Sequence, residues 1–155
     1  MVEEIVKLVV TFLIGLVGGI ILQHYRWQVE KRSEKKARII PYAETLHPKL
    51  ENLVGNALHA VRLQDANDLP ERNRYIERVC SDLEAVGLWF LEFVEDGLKP
   101  ELQDLDLELY ANLHGTFVYR QMLKEHGEEY ISQNLNGLKE QLLRTLDLLT
   151  SFVQS

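Results

Sequence analysis

Residues Ile5 to Leu22 read IVKLVVTFLIGLVGGIIL, an apolar run interrupted only by Lys7 and Thr11. As a helix rising about 1.5 Å per residue, the run covers ~27 Å, close to the ~30 Å hydrocarbon core of a bilayer. Lys7 lies near the end of the run, where its stem can carry the ammonium to the headgroups. A cleaved secretory signal needs a positive leader and a small-residue cleavage site. This chain begins Met1-Val2-Glu3-Glu4 and continues Gln23-His24-Tyr25-Arg26. The pattern therefore predicts a single transmembrane helix, with residues 1–22 as a short external stub and span.

The flanks predict its orientation. Arg26, Lys31, Arg32, Lys35, Lys36 and Arg38 follow the run, against Lys7 alone at its start. Positive residues stay on the cytoplasmic side, which puts the N-terminus outside and the bulk of the chain in the cytoplasm, at the cell (inner) membrane. Tyr25 and Trp27 fit an interfacial aromatic belt, and the basic run is suited to anionic headgroups. The bilayer is thus the first expected partner. Thr11, Gly15 and Gly19 recur every four residues on one face, the spacing that lets membrane helices approach closely and self-associate.

Charge divides along the same line. Residues 1–38 hold seven Lys/Arg against four Asp/Glu, and the remainder holds ten against twenty, so that a basic N-terminal part precedes a part carrying −10. A long nucleic acid is excluded as a partner by that acidity. Cys80 is the one cysteine, which rules out an intramolecular disulfide framework, and no Cys/His grid of zinc-finger spacing exists. At 155 residues there is room for one modest domain beside the anchor.

Residues 23–41 are charged and free of glycine, and read as a basic helical stalk. Pro41 is expected to end it, because the residue before proline is pushed out of the α region. A link over Tyr42–His47 then leads to Pro48 in the first turn of a new helix. Four helices are expected in 42–155. The first covers about 48–65, with Leu50, Leu53, Val54, Ala57 and Val61 on one face. The second covers 71–95, with Ile76, Val79, Cys80, Leu83, Val86, Phe90 and Val94 in register, and ends at Asp96-Gly97 with Gly97 as its cap. The third covers 101–126 and stops near Gly127. The fourth covers 128–153, with Ile131, Leu135, Leu138, Leu142, Leu146, Leu149 and Val153 in phase. Short loops favour antiparallel neighbours, so the expected fold is all-α: a transmembrane helix and stalk followed by a cytosolic four-helix bundle.

The third helix departs from a simple amphipathic pattern. Leu109 to Leu123 (LYANLHGTFVYRQML) is apolar almost all round, which suits a central helix or one shared with a partner chain. A four-helix monomer has no central helix, so a homo-oligomer seam is expected there. Leu88 and Trp89, off the core stripe of the second helix, are expected to add exposed apolar surface.

Arg120 lies in this stretch and, once buried, requires an acid, a ligand or water. One reading pairs it with an Asp or Glu of its own chain. The other makes Arg120, His114, Asn112 and Thr116 an anion-binding pocket at the seam, with His59 and Arg62 as further cationic ligands and Arg72, Arg74 and Arg78 beside them. A few desolvated arginines can hold a small anion despite an acidic surface.

Arg120-x5-His126 resembles the active-site motif of HEPN ribonucleases, helical bundles that pair two such motifs across a dimer. Gln121 departs from that family's preference after the arginine. Glu44-x-x-His47 resembles half of a carboxylate-bridged di-iron site, with no second copy and with Pro48 expected to break the helix that would project both ligands. No phosphate loop, nucleophile triad or His-x-x-x-His pair is present, so no cofactor, metal or enzymatic activity is expected.

As a layout, anchor 5–22, basic flank 26–38 and compact domain 42–153 resemble the small membrane-anchored ancillary effectors of type III CRISPR defence. Those proteins join membrane helices to a soluble domain that binds cyclic oligoadenylate. The resemblance implies a non-enzymatic sensor of a small anionic ligand, such as a cyclic oligonucleotide, acting at the membrane in antiviral defence. The alternative expectation is a membrane-tethered adaptor that docks a protein through the Leu109–Leu123 surface or through Leu88 and Trp89.

Overall fold

The computed structural model describes all 155 residues, the side chain of Asp96 excepted. Every element is helical: α1 (Val2–Asp65), α2 (Leu69–Trp89), a π-helical segment (Phe90–Leu98), α3 (Lys99–Leu105), α4 (Leu107–His126), α5 (Glu128–Gln133) and α6 (Leu135–Gln154). The chain divides into two compact units, 1–37 and 38–155. The first consists of the N-terminal part of α1. Its apolar residues from Ile5 to Leu22 are all exposed, and this is the one helix among the described residues long and apolar enough to cross a membrane.

The second unit begins within α1, and here the expected break is absent. Neither Pro41 nor Pro48 ends the helix, and Tyr42–His47 is helical, not a link. A proline inside a helix removes one backbone donor and crowds the carbonyl four residues back, a cost of about 3 kcal/mol. Both prolines sit on the exposed side, and so do Ala37 and Glu44, whose carbonyls have no proline amide to accept from. On the opposite side Ile39, Ala43, Leu46, Leu50, Leu53 and Ala57 form one buried stripe running past both prolines. Burial of that stripe outweighs the local penalty.

A short turn separates α1 from α2. Asn67 takes a positive φ of 57°, and the Asp68 carboxylate caps α2 by accepting from the Glu71 amide, with Pro70 in the first turn. The end of α2 is less abrupt than expected. Helical structure continues through Gly97 as the π-helical segment, and Gly97 has no positive φ, so it is not a left-handed cap. Pro100 then opens α3.

Two further breaks lie where single helices were expected. Asp106 leaves the helical region at φ −153° and its carboxylate accepts from the Leu109 amide at 3.0 Å, ending α3 and starting α4. Asn134 separates α5 from α6 and donates its side-chain amide to the Tyr130 carbonyl. Gly127, at φ 76°, makes the turn between α4 and α5 in a conformation that favours glycine.

Within the second unit α4 is the hub, packing against α6, α2, α3, α5 and the π-helical segment. Residues 38–65 of α1 meet α2 through Asn56–Asp82 and His59–Tyr75, the π-helical segment through Tyr42–Phe93, and α6 through His47–Thr150. Leu46, Leu53, Leu83, Leu109, Leu138 and Leu142 are fully buried at the centre. Packing of α4 among these neighbours accounts for most of its apolar circumference inside one chain. Leu109, Leu113 and Phe117 are covered by neighbouring helices, while Leu107, Ala111, His114 and Val118 form an exposed stripe along the same helix. Trp89 is also buried and tilts against Phe93; Leu88 alone of that pair is exposed.

Because Pro48 is tolerated only through tertiary packing, Pro48→Ala should restore a backbone hydrogen bond and stabilise the chain by about 1–3 kcal/mol. Urea denaturation of the two proteins in the same detergent checks this; an unchanged midpoint contradicts the assigned penalty.

Candidate functional site

Arg120 is 4% exposed, and its path is set by a glycine on the neighbouring helix. A Cβ at Gly87 would stand 1.9 Å from Arg120 Cδ, so only glycine lets the arginine stem cross α2. Beyond this crossing, Nη2 donates to Glu84 Oε1 at 2.8 Å, and Lys124 Nζ lies 3.9 Å from the same oxygen. The Arg120 Nε is buried without an acceptor. Its Cζ is 5.8 Å from the centre of the Phe117 ring. The acid that a buried arginine requires is supplied within the chain by Glu84.

Asn112 and Thr116 turn toward α6 instead. The Asn112 carbonyl accepts from Gln141 Nε2 at 3.0 Å, Thr116 Oγ1 at 3.2 Å and Thr145 Oγ1 at 3.3 Å. Gln141 also donates to Asn112 Oδ1, and the Thr116 and Thr145 hydroxyls are 3.3 Å apart. Gly115 makes room for this network, since a Cβ there would lie 2.9 Å from Gln141 Nε2. These polar groups satisfy one another at the α4–α6 contact.

His114 is exposed and points a third way, toward the π-helical segment. Its ring lies edge-on to Phe90 and near Tyr110 and Phe117. Beside it the Tyr110 hydroxyl donates to Glu95 Oε1 at 2.8 Å, and Lys99 Nζ is 3.4 Å from Glu95 Oε2. The Tyr110 hydrogen bond, aided by Lys99, holds the Glu95 carboxyl below its ordinary range. With its folded value depressed, Glu95 contributes stability that is present above the unfolded carboxyl pKa and lost as pH falls through the folded one. The Lys99 ammonium is correspondingly raised, first by Tyr110 and then by Glu95.

His59 and Arg62 lie elsewhere, exposed on α1. The His59 ring stacks on Tyr75 at 5.1 Å, and Arg78 Cζ lies 4.9 Å from that same ring. Arg74 pairs with Glu71, and Arg72 Nη2 donates to the Ser132 carbonyl. The six residues expected to bind an anion therefore face α2, α6, the π-helical segment and the α1–α2 surface, and do not converge on one cavity.

The remaining sequence features are equally accounted for by their surroundings. His126 ends α4, stacks on Tyr130 and lies beside Glu125, while Arg120 is committed to Glu84. Because α1 is unbroken, Glu44 and His47 do share a helix. His47 has both ring nitrogens engaged, Nδ1 with Glu51 at 3.2 Å and Nε2 with Thr150 Oγ1 at 2.9 Å. No group of three His, Cys, Asp or Glu placed to hold a metal occurs among the described residues. Burial, reinforced by Glu128 and Glu77, pushes the Cys80 thiol up to about 12. In the first unit, a Cβ added at Gly15 or Gly19 would meet nothing within 4 Å, and Thr11 donates its hydroxyl to the Lys7 carbonyl at 2.8 Å.

Glu84 and Gly87 were not singled out in the sequence, although a glycine inside a helical pattern signals close approach by a neighbour. The fold and these contacts define an all-helical protein with one membrane-crossing candidate helix. No family model matches the chain, and no curated protein or solved structure matches it either.

The Arg120–Glu84 pair is asymmetric, with the arginine buried and the carboxylate 39% exposed. Glu84→Ala strands a buried guanidinium and should cost about 1–3 kcal/mol. Arg120→Met leaves a hydrated carboxylate and keeps the packing, so it should cost less. Chemical denaturation of both variants checks the order; equal losses contradict it.

Proposed function

We propose that this chain is a non-enzymatic, single-pass protein of the cell membrane. In this reading the N-terminal stub is outside, and the second unit is a cytoplasmic four-helix bundle that serves as a tethered adaptor for a protein partner. The observation that carries the proposal is the helix over 5–22, apolar along its length with none of it buried. Such a surface is stable in hydrocarbon and costly in water. The excess of cations after residue 22 supports the orientation. The scatter of the expected anion-binding residues supports an adaptor over a ligand pocket on α4. Exposed Leu88, Leu107, Val118 and Leu143 provide apolar contact area on the bundle.

The sensor reading keeps one specific observation in its favour. His59 stacks on the half-buried Tyr75 ring and the Arg78 guanidinium lies over the same ring on the α1–α2 surface, where a small anion such as a cyclic oligonucleotide would find a cation and a stacking face. A role in antiviral defence belongs to that reading. Self-association is assigned to the membrane helix, whose Thr11, Gly15 and Gly19 face is open.

Alkaline carbonate should leave the full chain in the vesicle pellet, and protease added to inside-out vesicles should digest residues 38–155. Release by carbonate, or protection of the second unit, refutes the topology. Lysine-directed cross-linking in membranes should trap a dimer, and Gly15→Leu with Gly19→Leu should reduce it several-fold. An undiminished dimer removes the glycine face from the contact.

A further inference from the structure

The segment that follows the apolar run carries its charge in a particular arrangement. Residues 23–33 are helical and exposed, and contain Arg26, Lys31 and Arg32 against the single acid Glu30. At about 100° per residue, the three cations stand roughly 100–140° apart around the helix axis, surrounding it on all sides. Measured from Leu22, their backbones rise ~6, ~14 and ~15 Å above the apolar run. A flexible stem lowers each charge from there: the Lys31 ammonium is folded back over the Trp27 ring, 4.0 Å from its centre, one turn nearer the apolar residues. Trp27 in turn stacks on His24 at 5.9 Å, and Tyr25 is exposed beside them.

We infer that Tyr25, Arg26, Trp27, Lys31 and Arg32 form a collar that binds the phosphates of anionic lipid headgroups around the emerging helix. The inference rests on the membrane-spanning reading and names its lipid partner. A collar fits an upright helix in a sheet of headgroups, which meets lipid on every side, whereas a docked protein would need cations gathered on one face. The aromatic rings occupy the boundary level, where one edge is apolar and the other wet. The Lys31 ammonium over the Trp27 ring brings that charge to the level of the aromatic residues.

The test uses the full chain reconstituted in phosphatidylcholine vesicles with trace spin-labelled phosphatidylglycerol or, separately, spin-labelled phosphatidylcholine. Electron spin resonance gives the motionally restricted fraction of each. The restricted population should favour phosphatidylglycerol about two- to fourfold at low salt. The preference should fall toward one in 1 M salt, where the screening length is ~3 Å, and in the combined Arg26→Gln, Lys31→Gln, Arg32→Gln variant. Equal association of the two lipids at low salt, or a variant that keeps the full preference, overturns the collar while leaving the span intact. Absence of a restricted component with either lipid overturns the span itself. The salt series on the unaltered chain decides the matter even where the variant inserts poorly.

Discussion

Close approach at mid-helix glycines is the constraint on which the packing of the second unit depends. Gly87 on α2 admits the Arg120 stem, Gly115 on α4 admits the Gln141 amide, and Gly137 on α6 lies where an added Cβ would be 3.0 Å from the Tyr119 hydroxyl. In each case a long polar side chain from one helix lies over the bare backbone of another. The arrangement lets polar groups be buried with partners, as in the Asn112–Thr116–Gln141–Thr145 network, in place of an all-leucine contact. Buried polar groups with fixed partners favour one alignment of α4 between α2 and α6, since a shift along the axis would break them.

That placement reshapes the functional argument. An apolar helix can be covered by its own chain or by another; α4 is covered by its own on most sides and leaves Leu107, Ala111, His114 and Val118 exposed along one stripe. Its polar residues are then committed in different directions, to Glu84, to Gln141 and Thr145, and to the aromatic cluster at Phe90. Shared sequence neighbourhood did not mean a shared site: Asn112 and Thr116 face α6, His114 between them faces the π-helical segment, and Arg120 crosses α2. What remains available to a partner lies on the surface: the Arg78 guanidinium over Tyr75, apolar side chains such as Leu107 and Val118, and the whole of the N-terminal apolar helix.

The apolar run was legible because eighteen consecutive positions leave composition little to decide. Core phases were also legible: Leu50, Leu53, Ile76, Leu83, Ile131, Leu138 and Leu142 are buried as their periodicity requires. Helix ends were harder. Pro41 and Pro48 carry a strong local preference that tertiary burial of Leu46 and Leu50 overrides, and no local rule reports that balance. Asp106 had a readable signal as an N-cap followed by Glu108 in the first turn, obscured by the apolar phase continuing across it. The π-helical segment had none, since one inserted residue shifts the phase of Trp89 and its neighbours only slightly. Arg120's need for an acid was foreseeable; that Glu84 supplies it depends on which helices are adjacent.

The chain's only sulfhydryl lies in the interior, with burial and two nearby carboxylates opposing its ionisation. The thiolate is the reactive form, and burial keeps this thiol protonated at neutral pH. A cysteine introduced anywhere on its surface would be the one position a maleimide probe could label, with the native residue left in place.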